Sequence, residues 1–254
     1  MSKKVISLAL SDIGKHRKEN QDAFYIDDKK GIFILCDGMG GEKGGGTASR
    51  TVTELLPKVF NELFTDNDLF AEKEVNKILK DLFEYLNEFI SDKGNTDPEL
   101  KGMGTTLVLA LSVNEYIYIA HCGDSRAYLF TEGKLQRLTK DHSVIEMLLE
   151  LGHITQEQVK THPARGQISK FIGMPGKAIP DIKKISLKED DILMLCSDGL
   201  TGMLNDDEIQ SILSTETDKK KALEVLIDKA NKAGGHDNIT VLLIYKNGEN
   251  KDEY

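Results

Sequence analysis

TTLVLALSVNEYIYIAHCGDSRAYLFTEGKLQRLT, residues 105–139, is the stretch on which the fold turns. Its apolar runs, TTLVLALS, EYIYIAHC, SRAYLFT and KLQRLT, are too short for helices. They are separated by Val-Asn, Gly-Asp and Glu-Gly, which is turn chemistry, so the segment predicts a meander of short antiparallel strands buried on one or both faces. Upstream the period changes. Val52, Leu55, Leu56, Val59, Phe60 and Leu63 mark one face of a helix beginning near Thr47, with Pro57 set to kink it or shift its start. Val75, Ile78, Leu79, Leu82, Leu86, Phe89 and Ile90 mark a second helix over about 72–91, ended by the GNTDPE loop. Before these helices, VISLAL, DAFYI and IFILC read as three adjacent antiparallel strands.

Downstream, residues 142–180 break the strand pattern. Ser143 with Glu146 and Thr155 with Gln158 are cap signals for two short helices, and the loop THPARGQ follows. The chain then returns to strand at DILMLC, to helix at DDEIQSIL and KKALEVLIDKAN, and to a last strand at NITVLLIY. Strand blocks and helix blocks segregated along the chain predict an α+β sandwich, not a parallel sheet of βαβ units.

With 254 residues, 39% of them apolar, the chain can fill one large core, and residues 1–246 are read as a single domain with a polar tail at 247–254. A net charge of -9 argues against nucleic acid or an anionic membrane surface as a partner. The opening MSKKVISLALSDIG holds an apolar stretch cut short by Asp12, far below spanning length, so a cytoplasmic location is expected. Cys36, Cys122 and Cys196 each end an apolar strand, and an odd number so placed reads as small buried hydrophobes.

Four aspartates stand where an apolar run stops and glycine is near: Asp37 after GIFILC, Asp124 after YIYIAHCG, Asp198 after DILMLCS and Asp237 after AGGH. One such Asp-Gly is an ordinary tight turn, but four are harder to dismiss. Carboxylates held at strand ends converge where a cation joins them, and hard oxygen donors suit magnesium or manganese better than zinc. DGMGG lacks the Gly-Lys-Ser/Thr of a phosphate-binding loop, and its glycines leave room for the Gly38 carbonyl to join Asp37 as a ligand. In RKENQDAF, Arg17, Asn20 and Asp22 precede a strand, and an arginine fork beside a metal cluster can bind two phosphate oxygens at once.

RxxNQDAF, DGMGG, GTT before an apolar strand, GDSRAY, SDGL and GGHDNIT occur in that order between residues 17 and 240. Together they resemble the metal-dependent protein phosphatases, the type 2C serine/threonine phosphatases, and most closely the bacterial single-domain members. The resemblance implies a four-layer α/β/β/α sandwich, two antiparallel sheets flanked by helices. It implies that Asp37 bridges two Mn2+ or Mg2+ ions, with the Gly38 carbonyl completing one and Asp198 and Asp237 holding the other. Asp22 would act through a metal-bound water, Asp124 with Asp198 would hold a third, weaker ion, and Arg17 would grip the substrate phosphate. The implied reaction is hydrolysis of phosphoserine and phosphothreonine in proteins by direct attack of a metal-bridging water or hydroxide. The implied setting is a cytoplasmic monomer countering a bacterial Ser/Thr kinase.

The sequence also departs from the family's pattern. Many eukaryotic members carry histidine directly after the Asp-Gly pair, a candidate acid for the leaving alkoxide, and here that position is Met39. Methionine cannot donate that proton, so metal-bound water or a flap residue must do so, or the leaving group departs with less help. His162, in the 142–176 insertion that resembles the family's flap, is a candidate; its other reading is a loop histidine contacting backbone. Glu42 and the glycines after it replace the more usual loop residues, and His236 is read as orienting Asp237 or facing solvent. Two rival readings are a pseudophosphatase, a fold kept for binding, and a phosphatase of small phosphate esters.

Overall fold

A computed structural model describes residues 5–63, 72–155 and 157–246. Eleven strands and six α-helices follow in chain order: β1 Val5–Asp12, β2 Asp22–Asp27, β3 Ile32–Met39, α1 Gly41–Leu63, α2 Glu72–Thr96, β4 Gly104–Thr105, β5 Leu107–Val113, β6 Tyr116–Cys122, β7 Arg126–Thr131, β8 Lys134–Arg137, α3 Val144–Glu150, β9 Asp181–Ile185, β10 Ile192–Cys196, α4 Asp198–Thr201, α5 Asp206–Thr215, α6 Lys219–Lys232 and β11 Ile239–Lys246. They build two antiparallel sheets, ordered β1-β11-β10-β7-β8 and β2-β3-β5-β6-β9, with β4 paired to β3.

Alternation along each strand explains why the runs read as continuously apolar. In β3, Phe33 and Leu35 point into the layer between the sheets, where Leu193, Leu195, Leu242 and Ile244 meet them. Ile32, Ile34 and Cys36 point the other way, under α1 and α2. In β10, Ile192, Met194 and Cys196 likewise face α5 and α6. Both faces of both sheets are covered, which gives the α/β/β/α layering. The three cysteines are buried and free, as their positions predict.

The structure corrects several details of the sequence reading. The meander is cut in two: β5–β6 and β7–β8 are hairpins, but they belong to different sheets, and the chain crosses between them at Gly123–Ser125. Gly123 sits at φ +118°, and a Cβ there would lie 2.6 Å from the Thr106 side chain, so this crossing needs glycine. β1 is not beside β2; it pairs with β11 from the far end of the chain. β4 and β9, too short or too charged to stand out, were not predicted. Helix α1 starts at Gly41, six residues before the apolar period does, so the glycines 44–46 are helical and not loop, and the helix runs through Pro57. Its N-terminal turns press on the end of β3, where a Cβ on Gly45 would come within 2.8 Å of the Gly38 backbone. Helix α2 continues to Thr96, and its Phe89 is 40% exposed.

In the insertion, Ser143 caps α3 by accepting from the Glu146 amide, as predicted, but the second cap signal leads only to a 3-10 turn, Gln158–Thr161. The insertion is stitched down at both ends. Thr105 and Ile172 exchange backbone hydrogen bonds of 3.0 and 2.9 Å, and Ser169 N donates to His142 O at 2.8 Å. Asp141, next to His142, receives both Nε and Nη2 of Arg126. No helix among the described residues is long and apolar enough to cross a membrane. The polar tail 247–254 lies outside the described residues.

Candidate active site

The strand-end aspartates arrive at one end of the sandwich. β3 is buried through Cys36 and emerges at Asp37 and Gly38, while β2–β3 register sets Asp22 opposite Asp37. β10 ends at Cys196, after which Ser197 hands the chain to α4, whose first residue is Asp198. Asp237 precedes β11, and Asp124 lies on the crossing between the sheets. Arg17, Asp37, Gly38, Asp124, Asp198 and Asp237 all line one cavity of about 810 Å³. Met39, Lys18 and Lys43 line it too, with Gly166 and Ile168 from the insertion.

Two of the expected residues are not in this lining. Asp22 is 8% exposed and lies behind it. His162 stands apart in the insertion, where its Nδ1 accepts the Ala164 amide at 3.1 Å; this is the backbone-bonded loop histidine of the alternative reading.

The electrostatics of the cluster are unfavourable for carboxylates alone. Burial, and then Asp22, Asp198, Asp124 and Asp237 around it, hold the Asp37 carboxyl well above the usual range. Burial and Asp198 push Asp124 up to about 8. Burial raises Asp22 to about 7, although Thr240 and Ser197 donate hydrogen bonds to it. Asp198 is raised by burial and by Asp237. Arg17 is the cation inside the ring of charge: its Nη2 donates to Asp237 Oδ2 at 2.6 Å. Asp22 Oδ1, Asp124 Oδ1 and Asp198 Oδ1 are buried without a hydrogen-bond partner. Orphaned acceptors of this kind cost roughly 1–3 kcal/mol each, more when charged. An all-oxygen set of mutually repelling carboxyls with free buried lone pairs fits divalent hard cations.

The sequence reading missed the neutral residues that hold these acids in place. Thr106 Oγ1 accepts the Asp37 amide at 2.9 Å, and Thr105 Oγ1 donates to the Asp37 carbonyl at 2.9 Å. Asn238 ties down the segment that carries Arg17: its Oδ1 accepts the Gln21 amide, and its Nδ2 donates to the carbonyls of Ile13 and Glu19. The available signal was adjacency, since GTT and DNIT both sit directly beside strand ends in this cluster.

His121, His142 and Asp181 form a separate gathering, with donor atoms within 4.8 Å of one another. It lies at the root of the insertion and is poorly made for a metal. The two rings are stacked 4.6 Å apart at 2°, so their in-plane lone pairs run parallel instead of converging. His142 Nδ1 accepts the Gly123 amide, which leaves its proton on Nε2, facing Asp181 Oδ2 at 3.4 Å, and Lys170 holds Asp181 Oδ1 at 2.9 Å.

The profile of the protein phosphatase 2C family matches residues 15–239, almost the whole of the described chain. The chain belongs to the protein phosphatase 2C family. Within that family it is 36% identical over 235 residues to the serine/threonine phosphatase stp of Listeria innocua, covering 92% of each chain. Its fold superposes on the S. agalactiae serine/threonine phosphatase with a TM-score of 0.86 at 34% identity, covering 96% of this chain and 100% of the other. The catalytic domain of the serine/threonine protein phosphatase PstP, solved in complex with 2 manganese ions, matches at TM-score 0.79 and 28% identity over 95% of this chain and 97% of that one. As a protein phosphatase 2C domain the chain is metal-dependent, in keeping with the donor set at the cavity.

Proposed function

We propose that this protein phosphatase 2C domain is a serine/threonine phosphoprotein phosphatase using two Mn2+ or Mg2+ ions, with a weaker third. Residues 1–246 act as one catalytic unit, with 142–176 as its flap. The observation that carries the reading is the convergence of Asp37, Asp124, Asp198 and Asp237, two of them (Asp124 and Asp198) with orphaned buried oxygens, on a cavity that also presents Arg17. Asp37, the Gly38 carbonyl, Asp198 and Asp237 would hold the main pair, and Asp124 with Asp198 the third. When bound, the ions supply an activated water and neutralise charge on the transferred phosphoryl group.

The remaining work falls to the chain's own residues. Arg17, 52% exposed at the lip, can turn its guanidinium from Asp237 to two phosphate oxygens. Asp22, behind the lining, would act through a metal-bound water. Among the described lining residues none is histidine, Met39 has no proton to give, and His162 Nδ1 is committed to backbone. None of these three supplies the proton for the leaving alkoxide, and solvent in the open cavity can supply it. That cavity admits a peptide loop, which favours phosphorylated Ser/Thr proteins as substrates and a cognate Ser/Thr kinase as the opposing activity. Three free cysteines suit a reducing, cytoplasmic setting, and the unit is read as a monomer.

The test is hydrolysis of a phosphothreonine peptide with Mn2+, with chelator, and by Asp198→Asn. Turnover should vanish with chelator and fall at least about 100-fold in the folded variant. Activity surviving both would sink the two-metal reading.

A further inference from the structure

At the active-site end of the layer between the two sheets, a chain of polar side chains crosses from one sheet to the other. Thr240 Oγ1, at the start of β11, donates to Asp22 Oδ2 at 2.6 Å, and Ser197 Oγ, just beyond β10, donates to the same oxygen at 2.8 Å. Thr240 has one hydroxyl proton and gives it to Asp22. Its 2.7 Å contact with Ser11 Oγ of β1 is therefore donated by Ser11. Ser11 in turn accepts from Asn20 Nδ2 at 2.8 Å, a group that can only donate. Ser197 Oγ accepts the Thr240 amide at 3.0 Å.

The polarity of the array is fixed from both ends, by an amide that cannot accept and a carboxylate oxygen that receives. Thr240 and Ser197 are 0% exposed and Asp22 8%, so water does not compete for these bonds. Both donors fall on Oδ2, and Oδ1 is buried with no partner at all. A carboxylate free to rotate would share its donors between two equivalent oxygens; this one cannot.

We infer that Thr240, Ser197 and Ser11 are positioning residues for the metal centre: a one-way donor chain that clamps Asp22 through Oδ2 and leaves Oδ1 to act on the metal site through water. The inference rests on the metal-phosphatase reading above. It gives the hydroxyls of SDGL and DNIT a task, and it makes the polar seam between the sheets part of the site.

Thr240→Val, Thr240→Ser and Ser11→Ala test it, with bound Mn2+ followed by electron paramagnetic resonance and calorimetry, fold by circular dichroism, and kcat and KM on a phosphothreonine peptide. Thr240→Val should weaken Mn2+ binding about tenfold and lower kcat, with peptide KM little changed, because supports of metal-site groups are commonly worth about 10–100-fold. Thr240→Ser, which keeps the hydroxyl, should restore binding to within about twofold of wild type, and Ser11→Ala should weaken it by about threefold. A folded Thr240→Val that binds Mn2+ as wild type does, or a Thr240→Ser as poor as the valine variant, overturns the inference. Should Thr240→Val not fold, unchanged Mn2+ affinity in Ser11→Ala overturns it. Wild-type protein that binds no Mn2+ would instead overturn the metal reading itself.

Discussion

Replacing Asp198 with asparagine removes one negative charge from a set of buried carboxyls that repel one another, so its two consequences have opposite signs. Metal binding and turnover are lost, while the chelated protein becomes more stable, because one of the mutually repelling buried charges is gone. Thermal melts in chelator check this, and a variant less stable than wild type would contradict it. The same repulsion sets a pH dependence. Burial first, then neighbouring carboxyls, raises Asp22 to about 7 and Asp124 to about 8 in the folded state, against about 4 for an unfolded chain. Between those values the folded protein holds protons that the unfolded chain has released. The stabilisation is therefore complete below about pH 4 and lost as pH rises through about 7–8. With chelator, the melting temperature should fall from pH 5 to pH 8.5; with saturating Mn2+, which binds the deprotonated acids, the fall should flatten or reverse. At this scale Asp37, Asp124 and Asp198 were legible because an apolar run ending near Asp and Gly is a local signal, and Asp237, which precedes β11, was marked by the glycines before it. Thr106, Ser197, Asn238 and Thr240 were not, since a hydroxyl or amide acquires its role only from the partner that the fold brings to it.

Among the elements, the strands and most helices could be read from period, but their partners could not. β1 and β11 lie at opposite ends of the chain, and nothing local in VISLAL distinguishes pairing with ITVLLIY from pairing with DAFYI. The sheet change at Gly123 is equally silent, because Gly-Asp is also hairpin chemistry. Helix α1 shows propensity overridden: Gly44, Gly45 and Gly46 disfavour helix, yet they are helical, and at Gly45 the close approach to Gly38 of β3 requires glycine. Gly45→Ala separates the two effects. Alanine gains about 1 kcal/mol in helix propensity. Its Cβ, however, would meet Gln21 Oε1 at 2.6 Å and the Gly38 backbone at 2.8 Å. Overpacking against backbone costs roughly 1–3 kcal/mol, so the net change should be destabilising, with Mn2+-dependent activity reduced as the Gly38 carbonyl is displaced. A raised melting temperature with full activity would show that α1 can lift off β3 at no cost.

For the molecule as a whole, the two sheets share one apolar layer and one polar seam, and this predicts how the domain fails. Leu193 of β10 is 0% exposed between the sheets, paired in register with Leu129 and Ile244 and packed in the layer that contains Phe33 and Leu35. Leu193→Ala leaves a void that neither sheet can close alone, at a cost of about 2–5 kcal/mol. That is a large share of the roughly 5–15 kcal/mol typical of a folded domain. Because both sheets lose the same contacts, unfolding in urea should remain a single transition shifted to lower denaturant. A probe among the helices over β2–β3–β5–β6–β9 and one among the helices over β10–β11 should report the same midpoint. Separate midpoints would mean that the sheets are independently stable. In that case the site, which draws Asp37 from one sheet and Asp198 and Asp237 from strand ends of the other, would come apart before the fold does. A shared midpoint makes metal binding and sandwich closure one equilibrium, so Mn2+ should move both probes upward together and by the same amount.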